Sequence, residues 1–192
     1  MTFLQKGLLL VLLLTGCVSH PEDKQTLSIS QRTRLNPATA WPLRGEGVYL
    51  QKITANVRGE THTFSVHLTL EDYKLEAIAF NDIYGRLYHL TWTPEKINWV
   101  ASDTLSEVLQ PEYVIADFLL VHLPLEHLQD SLINTEIQEE KEGDESVRLI
   151  TFKSELLRRI SRNESLGYLW ERVRIENPEV GYELDIQTVA LP

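Results

Sequence analysis

Few residues of this sequence carry side chains suited to chemistry, so each is weighed by its type and spacing. His62 and His67 stand five positions apart, as do His122 and His127. On a strand that separation puts a pair on opposite faces, and on a helix it sets them about 140° apart. Neither spacing gathers two imidazoles on one metal ion. No nucleophile elbow, phosphate-binding glycine loop or paired-histidine helix motif occurs, so a lipid hydrolase would lack a recognisable nucleophile and base. The chain is read as non-catalytic, and no metal or cofactor is called for. Asp117 is the conspicuous charge, set in the apolar run Glu-Tyr-Val-Ile-Ala-Asp-Phe-Leu-Leu-Val-His-Leu. An unpaired carboxylate there would be costly, which predicts an arginine partner, with Arg86, Arg172 and Arg174 as unranked candidates. Such a pair would either fix a helix on a sheet or act as a latch. Cys17 is the single cysteine, so no disulfide can form within the chain and the fold must rest on its core.

The surroundings of Cys17 suggest what its thiol does. Lys6 supplies a positive charge, Gly7 to Leu14 form a short apolar stretch, and Ser19, His20 and a charged stretch end it. A helix needs roughly 20 apolar residues to span a bilayer, so this segment reads as a secretory signal and not as a membrane span. Leu14-Thr15-Gly16-Cys17 resembles the lipobox of bacterial lipoproteins. That resemblance implies that residues 1–16 are removed and that Cys17 receives a diacylglyceryl group and usually a further acyl chain, which together give durable anchoring. Residue 18 is Val and not Asp, which in such proteins implies transfer to the outer membrane, facing the periplasm.

The chain of 192 residues carries 18 basic and 28 acidic residues, a formal net charge of −10, and Lys6 is the one basic residue before Cys17. The acidic balance argues against a nucleic-acid partner and against broad adhesion to anionic lipid. Part of it lies in Glu136–Glu145, which holds five Glu and one Asp and reads as a solvated loop or a strand edge. Residues 17–42 read as a tether interrupted by Pro21, Pro37 and Pro42, with Leu35 or Trp41 as its first packed residue. Residues 43–192 suffice for one domain with a substantial core.

Within that domain Phe64, Val66, Leu68 and Leu70 alternate with Thr63, Ser65, His67 and Thr69, the period of a half-buried strand. Similar patterns mark 48–57, 73–81, 86–92 and 96–100. Asn81-Asp82-Ile83-Tyr84-Gly85 and Thr93-Pro94-Glu95 supply turn chemistry between neighbours, so 47–100 reads as an antiparallel meander. Pro111 to Leu123 reads as a helix between prolines, apolar around most of its circumference and so buried on the sheet. A short second helix follows over 124–132, then strands at 147–152, 168–175 and 182–189. Val147 and Leu149 oppose Ile150 and Phe152, which fits a central layer or a curved sheet with an occupied interior. The fold class is α+β, dominated by antiparallel sheet, with helices across one face.

The stretch 79–92 (AFNDIYGRLYHLTW), the helical segment 111–132 and Gly181-Tyr182-Glu183-Leu184-Asp185-Ile186 together resemble a family of small bacterial outer-membrane lipoproteins of unassigned function, similar to the LolA/LolB lipoprotein carriers and often encoded beside genes for aryl polyene pigment-lipids. The resemblance implies a curved antiparallel sheet forming an incomplete β-barrel, with helices covering the open face and an apolar cavity beneath them. Phe64, Val66, Leu68, Tyr88 and Trp92 would line it from the strands, and Val114, Phe118 and Leu119 from the helix. Trp99 and Trp170 read as core packing or as further lining. By analogy with the carriers, where a basic residue of the sheet holds the helical lid, Asp117 and its arginine would form a lid latch. The function implied is non-covalent binding and transfer of a lipophilic molecule, an acyl chain, lipoprotein or aryl polyene lipid. No isolated exposed hydrophobic loop matches the membrane-inserting loop of LolB, which favours a general lipid carrier over a lipoprotein receptor. The alternative is a non-catalytic accessory subunit that packs its sheet edge on an envelope assembly complex.

Overall fold

The computed structural model describes residues 27–30, 32–36, 45–102, 105 and 109–192. Cys17, the signal segment and Trp41 lie outside the described residues. The elements run β1 (Leu27–Ser28), β2 (Arg34–Leu35), β3 (Gly47–Val57), β4 (Glu60–Glu71), β5 (Lys74–Asn81), β6 (Gly85–Trp92) and β7 (Ile97–Ala101). Helices α1 (Pro111–His122) and α2 (Leu125–Ser131) follow. The chain then makes β8 (Leu132–Ile133), β9 (Glu136–Glu142), β10 (Glu145–Phe152), β11 (Glu155–Leu166), β12 (Leu169–Asn177) and β13 (Tyr182–Leu191).

Ten strands form one open sheet in the order β7-β6-β5-β4-β3-β13-β12-β11-β10-β9, while β1, β2 and β8 form a small separate sheet. Two meanders, β3 to β7 and β9 to β13, are joined where β13 pairs antiparallel with β3 over its whole length. The ends of this curved sheet do not meet, so it is an incomplete barrel with α1 and α2 over its inner face.

The alternation read in the sequence becomes rows across the strands. One inner row runs Trp99, Leu90, Ala77, Leu68 and Tyr49, and a second runs Ala101, Tyr88, Ala79, Val66 and Gln51. A third continues through Phe64, Ile53, Ile186, Val173 and Arg162. A one-residue slip would turn every such row toward solvent, so the apolar face fixes the register. The acidic stretch 136–145 forms the edge strand β9 and its turn into β10, where charge discourages pairing with another chain.

Two features depart from the sequence reading. Strand β11 was not anticipated. The second apolar wall of the core is supplied partly by the segment assigned to the tether, because Leu27, Ile29 and Leu35 are 0%, 1% and 0% exposed. The folded body therefore begins by Leu27 and not at residue 43. Helix α1 matches the sequence reading, with no fully exposed residue. Pro111 starts the helix, and its missing N–H is a donor that the first turn would leave unpaired in any case. Leu123 ends it, donating to the Leu119 carbonyl before Pro124.

Candidate functional site

Helix α1 leaves carbonyls unpaired at its C-terminal end, as every helix does. Two arginines from the inner face of the sheet meet them. Arg148 of β10 donates to the Leu120 carbonyl at 2.5 Å, and Arg162 of β11 donates to the Val121 carbonyl at 2.8 Å. Both also hold Glu139 of β9, Arg148 at 2.7 Å and Arg162 at 2.8 Å. The two guanidinium side chains are only 2% exposed, so Glu139 supplies the countercharge and the helix end supplies the favourable dipole. Burial and then the charge of Arg162 push Arg148 down to about 10, which still leaves it protonated at neutral pH. Burial opposes ionisation of Glu139, but the two arginines outweigh it and hold its pKa below the usual carboxylate range. The Arg162 guanidinium also lies 4.6 Å from the centre of the Trp170 ring, a favourable cation–π arrangement.

One turn earlier, Asp117 faces Arg158 of β11. The Arg158 Nε to Asp117 Oδ1 distance is 3.5 Å, and the Tyr182 hydroxyl donates to Asp117 Oδ2 at 2.5 Å. Burial raises the Asp117 pKa, with Arg158 and Tyr182 opposing the rise. Arg158 is 1% exposed and also donates through Nη1 to the Leu157 carbonyl and through Nη2 to the Ile29 carbonyl at 2.6 Å. A single buried arginine therefore joins α1, the sheet and the N-terminal segment.

The partner of Asp117 is thus Arg158, and not Arg86, Arg172 or Arg174. On β12 the buried positions are Leu169, Val173, Ile175 and Asn177, so Arg172 and Arg174, of the other parity, point outward. Arg174 meets Glu183 at 2.9 Å and Glu176 at 3.2 Å on that outer face. Arg86 is exposed near the start of β6, on the opposite half of the sheet from β11.

Of the residues expected to line a cavity, Val66, Leu68, Tyr88, Trp92 and Leu119 are buried in one apolar cluster, and Phe64, Val114 and Phe118 pack against it partly exposed. Tyr88 stacks on Trp99 with ring centres 4.8 Å apart. Leu27, Ile29 and Leu35 belong to the same cluster. One cleft of about 400 Å³ lies among Arg58, Leu156, Asn177, Pro178 and Tyr182, at the end of the barrel that carries the β3–β4 and β12–β13 turns. Another of about 310 Å³ includes Ser161, Arg172, Arg174 and Asp185. Neither lies between α1 and the strands at 64–70 and 88–92. Among the described residues no group of three His, Cys, Asp or Glu side chains converges to hold a metal ion.

The sequence reading placed the β5–β6 turn but not the exposed apolar side chains at its tip. Ile83 and Tyr84 stand 82% and 78% exposed at its tip. Asn81 braces them, its Oδ1 accepting from the backbone N–H groups of Ile83 at 2.8 Å and Tyr84 at 3.3 Å while its Nδ2 donates to the Thr63 carbonyl at 2.7 Å. The following Gly85 has φ +69°, a left-handed conformation that suits glycine. The turn therefore presents two adjacent large apolar side chains on a braced backbone.

Among solved structures, a LolA superfamily protein from Nitrosomonas europaea is similar over 81% of this chain and 89% of its own, at 9% identity and a TM-score of 0.40. MucB, solved in complex with MucA(peri), is similar over 82% of this chain and 54% of its own, at 11% identity and a TM-score of 0.44. A DUF1329 family protein from Desulfovibrio piger is similar over 79% of this chain and 88% of its own, at 9% identity and a TM-score of 0.32. No curated protein matches the chain. A family profile described as protein of unknown function (DUF3261) matches residues 48–190, from the start of β3 to the end of β13, and the chain belongs to that family.

Proposed function

We propose that this chain is a lipoprotein anchored through Cys17 to the periplasmic face of the outer membrane, where it binds a lipophilic molecule on the inner face of its sheet and hands it over without covalent chemistry. The observation that carries this reading is how the inner face is covered. The buried residues of the open sheet form one largely apolar cluster that includes α1, and α1 is pinned to β10 and β11 by arginine contacts at its last turn and at Asp117. Such contacts are local and exchangeable, so the cover can part from the sheet without breaking the strand ladder. Mass spectrometry of organic extracts from the purified protein tests the reading directly, with a stoichiometric lipid or polyene as the expected result. A protein that never carries such a molecule and never takes up a fluorescent fatty acid would remove it.

Anchoring makes a separate prediction. Cys17→Ala leaves no second lipidation site, because Cys17 is the only cysteine. The variant is expected to leave the outer-membrane fraction or remain unprocessed, and wild type to show a lipid-dependent mass shift. A Cys17→Ala chain that stays firmly in that fraction would show that another surface anchors it.

Hand-over requires contact with a bilayer, and the Ile83–Tyr84 tip has the chemistry for it, an aliphatic side chain beside an amphipathic aromatic one. Burying one large apolar side chain is worth about 1.5–3 kcal/mol. The double change Ile83→Ser/Tyr84→Ser is therefore expected to slow transfer of a fluorescent fatty acid to acceptor vesicles roughly tenfold or more. Both side chains are exposed, so the urea midpoint should stay where it is. Unchanged transfer would show that the tip does not meet the membrane.

The accessory-subunit reading rests on a different observation. Edge strand β7 reads Ile-Asn-Trp-Val-Ala without a charge, and Val100 is 58% exposed. A partner that adds a strand there would be displaced by charged substitutions at Val100 that leave lipid content untouched.

A further inference from the structure

Resting on the carrier reading, we infer that Leu27, Ile29 and Leu35 occupy the seat of the ligand's hydrocarbon chain, and that Arg158 holds the Ile29 carbonyl where it would hold the carbonyl oxygen of a bound acyl group. The three side chains are 0–1% exposed inside the main apolar cluster, yet their backbone adds no strand to the ten-stranded sheet. Among the described residues strand β1 pairs only with β2, and β2 also with the two-residue β8. The segment turns on itself through Ile29 N–H to the Thr33 carbonyl at 3.1 Å and Ser30 Oγ to Thr33 Oγ1 at 3.0 Å. Among the described residues its polar ties to the second meander are the Arg158 contact to Ile29 and those of Arg32, which pairs with Glu155 at 2.7 Å and Glu179 at 3.7 Å and lies 5.5 Å from the Phe152 ring centre.

An extended apolar chain carrying a carbonyl oxygen, held at that oxygen by a buried guanidinium, has the chemistry of a fatty acid or an acyl ester. Arg158 is suited to the exchange because its planar fork presents several donors and can keep Asp117 while it trades one carbonyl for another. Strand β1 packs directly against α1, so departure of the segment uncovers the flank of the helix and removes one of the contacts that Arg158 makes. Entry of the ligand and release of the cover are then one event. The ligand class is an acyl chain with its carbonyl. A bare hydrocarbon satisfies the seat but leaves Arg158 Nη2 without an acceptor, which is costly for a buried donor.

The test ties the segment down. Leu35 and Leu132 are direct antiparallel partners, a geometry that a disulfide can span, and the Cys17 sulfur of the mature chain carries lipid under the proposed anchoring. Mature Leu35→Cys/Leu132→Cys protein in nanodiscs is exposed to diazirine-bearing palmitic acid, its methyl ester and a diazirine-bearing hexadecane, then irradiated and analysed by mass spectrometry. A seat open only a fraction of the time loses apparent affinity by that fraction. Labelling by the acid and the ester is therefore expected to fall at least about tenfold in the oxidised form and to return on reduction. Stronger labelling by the acid alone would assign a free carboxylate, and equal labelling by both an acyl carbonyl of either source. Wild type should prefer both over hexadecane, a preference that Arg158→Met abolishes. Equal labelling of oxidised and reduced protein overturns the inference while leaving the carrier reading intact. Equal labelling of wild type by hexadecane and the acid overturns the role of Arg158. Absence of labelling in wild type, in the reduced variant and in a Leu27→Asn/Ile29→Asn chain with a weakened segment overturns both the inference and the carrier reading.

Discussion

Replacing Glu139 by glutamine is expected to lower the unfolding free energy by about 3–5 kcal/mol, the usual cost of breaking a buried ion pair from one side. The size follows from what is left behind. Arg148 and Arg162 remain 2% exposed with like charges facing each other, and each is held there by a carbonyl of the last turn of α1. Neither can reach water without pulling the helix end away from the sheet. Glutamine keeps the volume and one acceptor but not the charge, so the loss reports the electrostatic part of the arrangement. A chain in which all three residues become apolar should recover much of the difference, because buried ionic groups are seldom better than well-packed apolar ones. Urea unfolding of the three proteins decides the matter. A Glu139→Gln midpoint equal to wild type would mean that the arginines are neutralised in some other way, and the pinning of α1 would need another explanation.

The first meander was legible because β3 to β6 carry their apolar residues at alternate positions with few exceptions, so both the strands and their order follow from period and turn chemistry. Strand β11 was hidden by the feature that makes it important. Its inner face is built from Arg158, Ile160 and Arg162, and a run with arginines at alternate positions looks solvated to any hydrophobic count. A register shift between Ile150 and Thr151 in the β10 pairing further blurs the period nearby. By contrast, the rejection of Arg172 and Arg174 as partners of Asp117 was available in the sequence. Val173 and Ile175 take the inner positions of that strand, so the arginines between them must face out. Leu35 was read as a possible first packed residue, whereas Leu27 and Ile29 were passed over for another reason. Isolated apolar residues in a polar stretch have no period, and only tertiary packing shows that they fill the core. The Ile83–Tyr84 tip was read as a turn because Asn and Gly bracket it. That reading was right about the backbone and silent about the exposure of the two side chains between them.

Acidification is expected to weaken the fold in two separable steps, the first of which belongs to His122. This residue ends α1 with its ring against Phe118, the centres 4.6 Å apart, and its Nδ1 is buried without a hydrogen-bond partner. Burial first, then the positive charges of Arg162 and Arg148, push its pKa down to about 3. Glu139, the carboxylate of that cluster, is already shared by the two arginines. In the unfolded chain a histidine takes its proton near pH 6.5. Between that value and about 3 the unfolded state therefore binds a proton that the folded state refuses, and stability falls as pH falls, by at most about 1.4 kcal/mol per pH unit. Glu139 acts lower down. Its depressed pKa gives stability that is complete above the ordinary carboxylate value of about 4.3 and is lost as pH drops through the folded value. The His122→Gln protein should accordingly hold its urea midpoint from pH 7 to about 5, where wild type declines, and then lose stability with wild type below about pH 4.3. The Glu139→Gln protein should show the reverse, a decline that begins at the histidine step and a smaller loss at the carboxylate step, where Glu76 and Glu155 also have lowered pKa values. The His122 ring proton shifts give the microscopic check, since an imidazole that stays neutral to pH 4 shows no titration above it. A His122 that titrates near 6.5 in the folded protein would mean that water reaches Nδ1, and that the last turn of α1 is not sealed against β10 and β11.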